Sequence, residues 1–465
     1  MNRVKDMTSG NPTKLLLLFA LPLILGNLGQ QLYMIVDAII VGQGVGVKAL
    51  AAVGATDWTY WLVLWTVQAL TQGFGACIAK HFGEKDHVKL RKSIAMSIIL
   101  CVGIGILLTL TALLMVLPML KILQTPADIF DGASSYLFTM FSGTLIVMAY
   151  NMISAILRAF GDGKTPLIAM GIAASANIAL DLLFVMVFRW GIAGAAAATL
   201  IAQLIAFLYC FLALRHIEFI RLQPSDWKAD KMVIRELCRM GFPLALQHVL
   251  IAVGGMILQS RINIQGFIFV AGFTATNKLY GLLESAAISL GYATTTYMAQ
   301  NHGAGQNDRI RKGLKSVTLI ALLMSVCSAV PAILGGKHLL KLFISSSDGS
   351  ASEVLAVAYQ YLVIMGGLLF ILYFLHGFRS ILQGLGDAVS PMISGVIEFF
   401  MRISAALLLT EFWGSIMLFL AEPLAWIGAA AYVMGACWFR FRKIPPEQKT
   451  DADQITENKG AAPTS

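Results

Sequence analysis

Long apolar runs separated by short polar gaps dominate the chain. They fall near residues 15–41, 49–79, 93–117, 134–157, 166–188 and 191–214. A second set lies near 240–264, 268–299, 314–336, 354–378, 391–410 and 415–438. A helix that crosses a hydrocarbon core of roughly 30 Å needs about 20 apolar residues, so the pattern predicts twelve membrane-spanning helices. The first run is too long for the apolar region of a secretory signal, and no A-x-A site follows it closely, so it is read as the first span.

The polar gaps then orient the chain. Alternate gaps are basic: Lys80, Lys85, Lys89, Arg91 and Lys92 in one, Arg158 and Lys164 in another. Arg215 to Arg239 and Arg309 to Lys315 supply the rest. The gaps between them hold little beyond Lys48, Lys121, Arg189, Lys337 and Lys341. An excess of Lys and Arg marks the cytoplasmic face. The expectation is a multi-pass protein of the plasma (inner) membrane with both termini cytoplasmic.

Composition changes the picture only by exclusion. The chain is 58% hydrophobic and 13% charged, about half the charged share of a soluble domain. The net charge of +9 sits in the gaps, where topology accounts for it, so no nucleic-acid partner is expected. The six cysteines have no paired or CxxC spacing and read as packing residues. The tail, 444–465, is polar and expected to be disordered.

Three segments recur in order. Leu21-Pro22 matches Phe242-Pro243, AKHFGEKDHVKLRKS from Ala79 matches AQNHGAGQNDRIRKG from Ala299, and LRAFGDGKTP from Leu157 matches LQGLGDAVSP from Leu382. The offsets are 221, 220 and 225 residues. Each half holds an even number of spans, so the halves share one orientation and a pseudo-twofold runs along the membrane normal. The predicted organisation is an N-terminal lobe over 1–214, a cytoplasmic linker over 215–239 and a C-terminal lobe over 240–443. Two lobes around one axis suit alternating access. In the recurring loops Gly and Pro end one helix and start the next, with Arg158 and Asp162 placed to pair across the turn.

Charged groups inside the spans cost about 2.5–3.5 kcal/mol each on insertion scales, so each needs a reason. Asp37 lies in the outer half of span 1. Asn177 and Asp181 are four apart, on one face of span 5. Asp181 and Thr199 each lie eight residues from the outer end of a span, about 12 Å deep at 1.5 Å per residue. Two carboxylates, an amide and a hydroxyl at one depth suit either a hard-oxygen cation site or a shared-proton pair. A polar network that only ties spans 1, 5 and 6 together is the alternative. Glu398 and Arg402, four apart on span 11, read as a structural ion pair. Glu284 in span 8 is placed to attract a cationic compound. Tyr33, Met34, Tyr150, Met256, Tyr280 and Tyr292 are candidates to line a cavity, since aromatic faces and thioethers suit loosely specified planar cations.

Several motifs together resemble the multidrug and toxic compound extrusion (MATE) family. They are GNLGQQLYMIVDAIIVGQGVG, YNMISAILRAFGDGKTP, NIALDLLFV, AQNHGAGQNDRIRKG, LQGLGDAVSP and GVIEFFMRI, spread from about residue 13 to 440. The resemblance implies an all-α, polytopic, V-shaped pump of twelve transmembrane helices in two six-helix lobes. It also implies export of small organic, often cationic, drugs or toxic compounds in exchange for Na⁺ or H⁺. In that family a carboxylate of the first span and an Asn/Asp pair of the fifth form the coupling-ion site. Asp37, Asn177 and Asp181 match those positions, with Thr199 a fourth, and Na⁺ there is the only metal expected. Some members use carboxylates in spans 7 and 10 instead; span 7 here has none, and span 10 only Glu353 at its edge. The chain is expected to need no cofactor and to work as a monomer in the lipid bilayer.

Two other classes compete. A lipid-linked saccharide flippase of related fold is disfavoured by the few basic residues inside the spans, chiefly Lys278 and Arg402. An intramembrane enzyme is disfavoured because HExxH, GxSxG and clustered histidines are absent, and no P-loop supports ATP-driven transport.

Overall fold

The computed structural model describes residues 4–344 and 351–443. The tail expected to be disordered, 444–465, lies outside them. Among the described residues every regular element is helical: α1 (Pro12–Gly44), α2 (Val47–Gly83), α3 (His87–Ile122), α4 (Ala127–Ser142), α5 (Thr144–Ala159), α6 (Lys164–Asp181), α7 (Gly191–Arg215) and α8 (Lys231–Asn263). Then follow α9 (Phe267–Gly303), α10 (Asn307–Leu334), α11 (Gly336–Leu340), α12 (Ala351–Gly367), α13 (Leu369–Gly384), α14 (Val389–Ser404), α15 (Thr410–Trp413) and α16 (Ile416–Arg442). The pairs α4/α5 and α12/α13 are single crossings bent by 47°. The crossings of α6 and α14 each continue through a π-helical segment, Leu182–Val187 and Ala405–Leu409. Twelve crossings result, in two lobes of six related by a pseudo-twofold along the membrane normal.

The symmetry reaches irregular features that hydropathy does not register. The two bends, at Gly143 and Leu368, are 225 residues apart. The recurring loops are built alike. Gly161 (φ 73°) and Gly386 (φ 79°) take left-handed backbone that disfavours a side chain. The aspartate after each caps the next helix: Asp162 accepts from the amides of Lys164 and Thr165, and Asp387 from those of Val389 and Ser390. Asp162 also takes the Thr165 hydroxyl at 2.5 Å. It is thus occupied as a cap rather than as the expected partner of Arg158.

Helices overrun the apolar windows because capping, not hydropathy, ends them. Asp86 caps α3 and Asp230 caps α8. The segment expected as a linker from 215 to 239 therefore gives up its last residues to α8, which starts at Lys231. The rest carries two 3₁₀ turns, Glu218–Ile220 and Pro224–Trp227, pinned by Arg91 on Asp226 (3.2 Å).

Among the described residues, nine single helices and the two bent pairs are apolar enough to cross a membrane; α9, less apolar, completes the twelve. It carries Asn277, Lys278 and Glu284 but packs against α1, α2, α10, α12 and α13, so neighbours rather than lipid cover it. The outer face of α3 shows the opposite arrangement. Ile106, Leu107, Leu110 and Leu114 are exposed there, Leu114 at 78%. Apolar area left in water costs about 25 cal/mol per Å²; a lipid belt removes that cost.

The lobes interlock at the end that carries the basic loops. The first turns of α1 (Leu16, Phe19, Leu23) join the apolar core of the C-terminal half. The first turns of α8 (Val233, Leu237, Met240) join the core of the N-terminal half. Across the joint, Lys80 meets Glu236 at 2.9 Å, Gln300 accepts from the Met7 amide, and its own amide reaches the Ala159 carbonyl.

Candidate functional site

Three helices of the N-terminal lobe bring together the four polar residues singled out for cation binding. Asp37 comes from α1, Asn177 and Asp181 from the last turns of α6, and Thr199 from α7. One helical turn separates Asn177 from Asp181, which puts both toward α1 and α7. The Asn177 amide donates to the Thr199 hydroxyl at 3.4 Å, and that hydroxyl donates to the Ala195 carbonyl at 3.1 Å. The carboxyls of Asp37 and Asp181 lie within electrostatic reach of each other. Asp181 is the last residue before the π-helical segment, which shifts the register of the residues that follow it.

Four oxygens of this cluster lack donors. Asp37 Oδ1, Asn177 Oδ1 and both carboxyl oxygens of Asp181 are buried without a hydrogen-bond donor. Buried acceptors are nearly always paired, so four together need an explanation. Their donor set is all oxygen, which fits Na⁺ or a shared proton and not a soft metal. Among the described residues no group of three or more His, Cys, Asp or Glu is placed to hold a metal ion. An apolar cluster of Ile40, Val41, Ala49, Val185 and Ala195 packs beside the site, with Val36 and Ile178 against it.

A cavity adjoins the cluster. Asn177 and Thr199 form part of its wall, with Tyr33 and Tyr150 of the same lobe and Tyr292 reaching in from α9. Met34, Met256, Tyr280 and Glu284 lie outside this lining. Tyr280 stacks on Trp426, ring centroids 5.7 Å apart, and Glu284 sits 3.6 Å from His376 Nε2, both within the C-terminal lobe. Spacing on α9 could not tell which residues face the cavity and which face the lobe's own core.

Glu398 and Arg402 are joined at 2.8 Å. They form part of a larger buried set, since Arg379 reaches Glu398 at 2.6 Å and Arg402 reaches Glu422 at 2.6 Å. Two carboxylates and two guanidiniums thus neutralise one another inside the lobe.

Sequence reasoning missed several residues. Asn27, Gln30, Gln68, Asn151 and Gln203 also line the cavity. Asp57 on α2 lies within electrostatic reach of Lys278 on α9. Asp57 and Glu422 carried the same signal as Asp37, a carboxylate inside an apolar run. Arg158, read as part of a basic gap, lines the cavity, and Arg379, which the sequence did not single out, is buried, so more basic residues are internal than Lys278 and Arg402 alone.

Comparison with known proteins adds three findings. The MatE family model matches residues 22–183 and 243–408, one stretch in each half. A probable multidrug resistance protein of Bacillus subtilis (strain 168), YpnP, is 30% identical and covers 92% of this chain and 92% of its own length. The probable multidrug resistance protein NorM of Thermotoga maritima is 26% identical, covering 90% of this chain and 89% of its own. Among solved structures, a MOP superfamily transporter from Pyrococcus furiosus matches with a TM-score of 0.88 at 21% identity, over 95% of this chain and 98% of that one.

Proposed function

Because the chain belongs to the MatE family, we propose that it is a multi-pass secondary transporter that expels small organic compounds, drugs and toxic compounds among them, in exchange for Na⁺ or H⁺. The observation that carries this reading is the donor-free oxygen cluster of Asp37, Asn177 and Asp181 beside the cavity.

The mechanism follows from charge. Two facing carboxylates repel when both are ionised, and a cation or proton taken up between them relieves that repulsion. Uptake draws α1 toward α6 and α7, and loss of the ion lets α1 relax. Since α1 also packs against the C-terminal half through its first turns, a shift of this helix reaches the lobe interface. An ion can move such an equilibrium only by binding one arrangement more tightly than the other. We place the basic loops and both termini on the cytoplasmic side of the plasma membrane, by their excess of Lys and Arg. We take the monomer as the working unit, since cluster and cavity lie within one chain.

The test is export from proteoliposomes under an imposed Na⁺ gradient, an imposed pH gradient, or neither. Efflux of a fluorescent organic substrate should need one of the two gradients and dissipate it. Efflux indifferent to both would remove the exchange reading.

A further inference from the structure

We propose that the N-terminal cavity takes organic acids, anionic or zwitterionic, and seats their carboxylate on Arg158; this deepens the transport reading above and rests on it. Among the described residues, three arginines that lie within the bundle differ in their surroundings: Arg379 and Arg402 are buried, and Arg158 is half-buried on the cavity wall. Arg379 and Arg402 are bound to Glu398 and Glu422 at 2.6–2.8 Å. Among the described residues, Arg158 has no carboxylate partner. It faces the cavity, and its close contact is the ring of Tyr292, with the guanidinium carbon 4.7 Å from the ring centroid. Asp162, four residues on, is occupied with the amides and hydroxyl of Lys164 and Thr165.

The internal repeat sharpens the contrast. The residue matching Arg158 in the second half is Gln383, which pairs with Gln72 at 3.0 Å and lies 3.4 Å from the Thr295 hydroxyl. The fold therefore tolerates a neutral amide at this position, and the charge is an addition made in one lobe. A guanidinium stays protonated throughout the working pH range, so it cannot shed its charge on burial. A π-face compensates it only in part. The other polar groups of the wall are neutral amides and hydroxyls, Asn27, Gln68, Asn151 and Gln203 among them, and among the described residues no carboxylate lines the cavity. A carboxylate entering there gains a paired, charge-assisted contact in a low-dielectric site. A bare organic cation meets a like charge.

The test measures binding to purified protein in lipid nanodiscs, without any ion gradient, using three probes on one ring system. These are naphthoate, methyl naphthoate and (naphthylmethyl)trimethylammonium. Wild type should bind naphthoate about tenfold or more tightly than either of the others. Arg158→Gln should level the three, and Arg158→Lys should keep a reduced preference. Equal binding of the three probes by wild type overturns the proposal, as does an acid preference that survives Arg158→Gln. Should that variant fail to insert, the wild-type ranking alone decides. Failed coupling or failed export would leave this result standing. A protein that pumps the quaternary ammonium and ignores naphthoate keeps the transport reading and loses this one.

Discussion

Gly83 and Gly303 occupy matching places at the ends of α2 and α9, and each is pressed against the other helix. A Cβ on Gly83 would collide with the Gln300 carbonyl, and one on Gly303 with the Lys80 carbonyl. Lys80 and Gln300 are themselves repeat partners, so the basic end is closed by one contact made twice about the pseudo-twofold.

Adding a methyl group there should force the two helices apart. Gly83→Ala and Gly303→Ala are each expected to cost about 1–3 kcal/mol through overpacking against backbone that cannot rotate away. Cys77 reports the result, being buried on α2 with its thiol 3.9 Å from the Glu236 carbonyl. Its labelling by a water-soluble maleimide, followed by mass spectrometry, should rise severalfold in either variant; unchanged protection would argue against a closure centred on these glycines.

Asp37→Asn and Asp181→Asn keep side-chain size and remove the charge. Each is expected to abolish gradient-driven export, by tenfold or more, while the protein still inserts and melts as a single species. The two substitutions together should cost no more than either alone, because residues acting as one unit are not additive. Full transport in either single variant would refute the exchange site.

In the C-terminal lobe, Glu398→Gln would leave Arg379 short of its carboxylate partner and Arg402 with Glu422 alone. Breaking a buried ion pair on one side costs about 3–5 kcal/mol. The melting temperature in detergent should fall by several degrees, with gradient dependence of the remaining transport unchanged. A loss of coupling at normal stability would instead assign this set a part in ion movement.

Asp230 offers a pH-dependent stability term outside the spans. The Lys92 ammonium, at 3.1 Å, and the amides of Met232 and Val233 hold its carboxyl below the ordinary carboxylate range. A lowered value means stability that is fully present above the unfolded-state pKa, about 3.9, and lost as pH falls through the lower folded value. Asp230→Ala should lower stability by about 1 kcal/mol at neutral pH through loss of the helix cap. The difference from wild type should shrink in melts taken below that pH window.

Much of this protein was legible in the chain. Apolar run length set the number of crossings, and the three recurring segments announced the two halves. The carboxylates of span 1 and span 5 stood out because a charge inside an apolar run is costly and therefore informative. Asp57 and Glu422 carried the same signal and went unread.

Tertiary structure decided the rest, because helical spacing tells which residues share a face and not what that face meets. Tyr280 and Tyr292 lie on one helix, yet Tyr280 stacks on Trp426 while Tyr292 reaches the opposite lobe's cavity beneath Arg158. Arg402 found Glu422, twenty residues away on another helix, and Arg158 found no carboxylate among the described residues. Hydropathy is local and survives in the sequence. Charge pairing is a matter of distance through space, and only the packed bundle sets those distances.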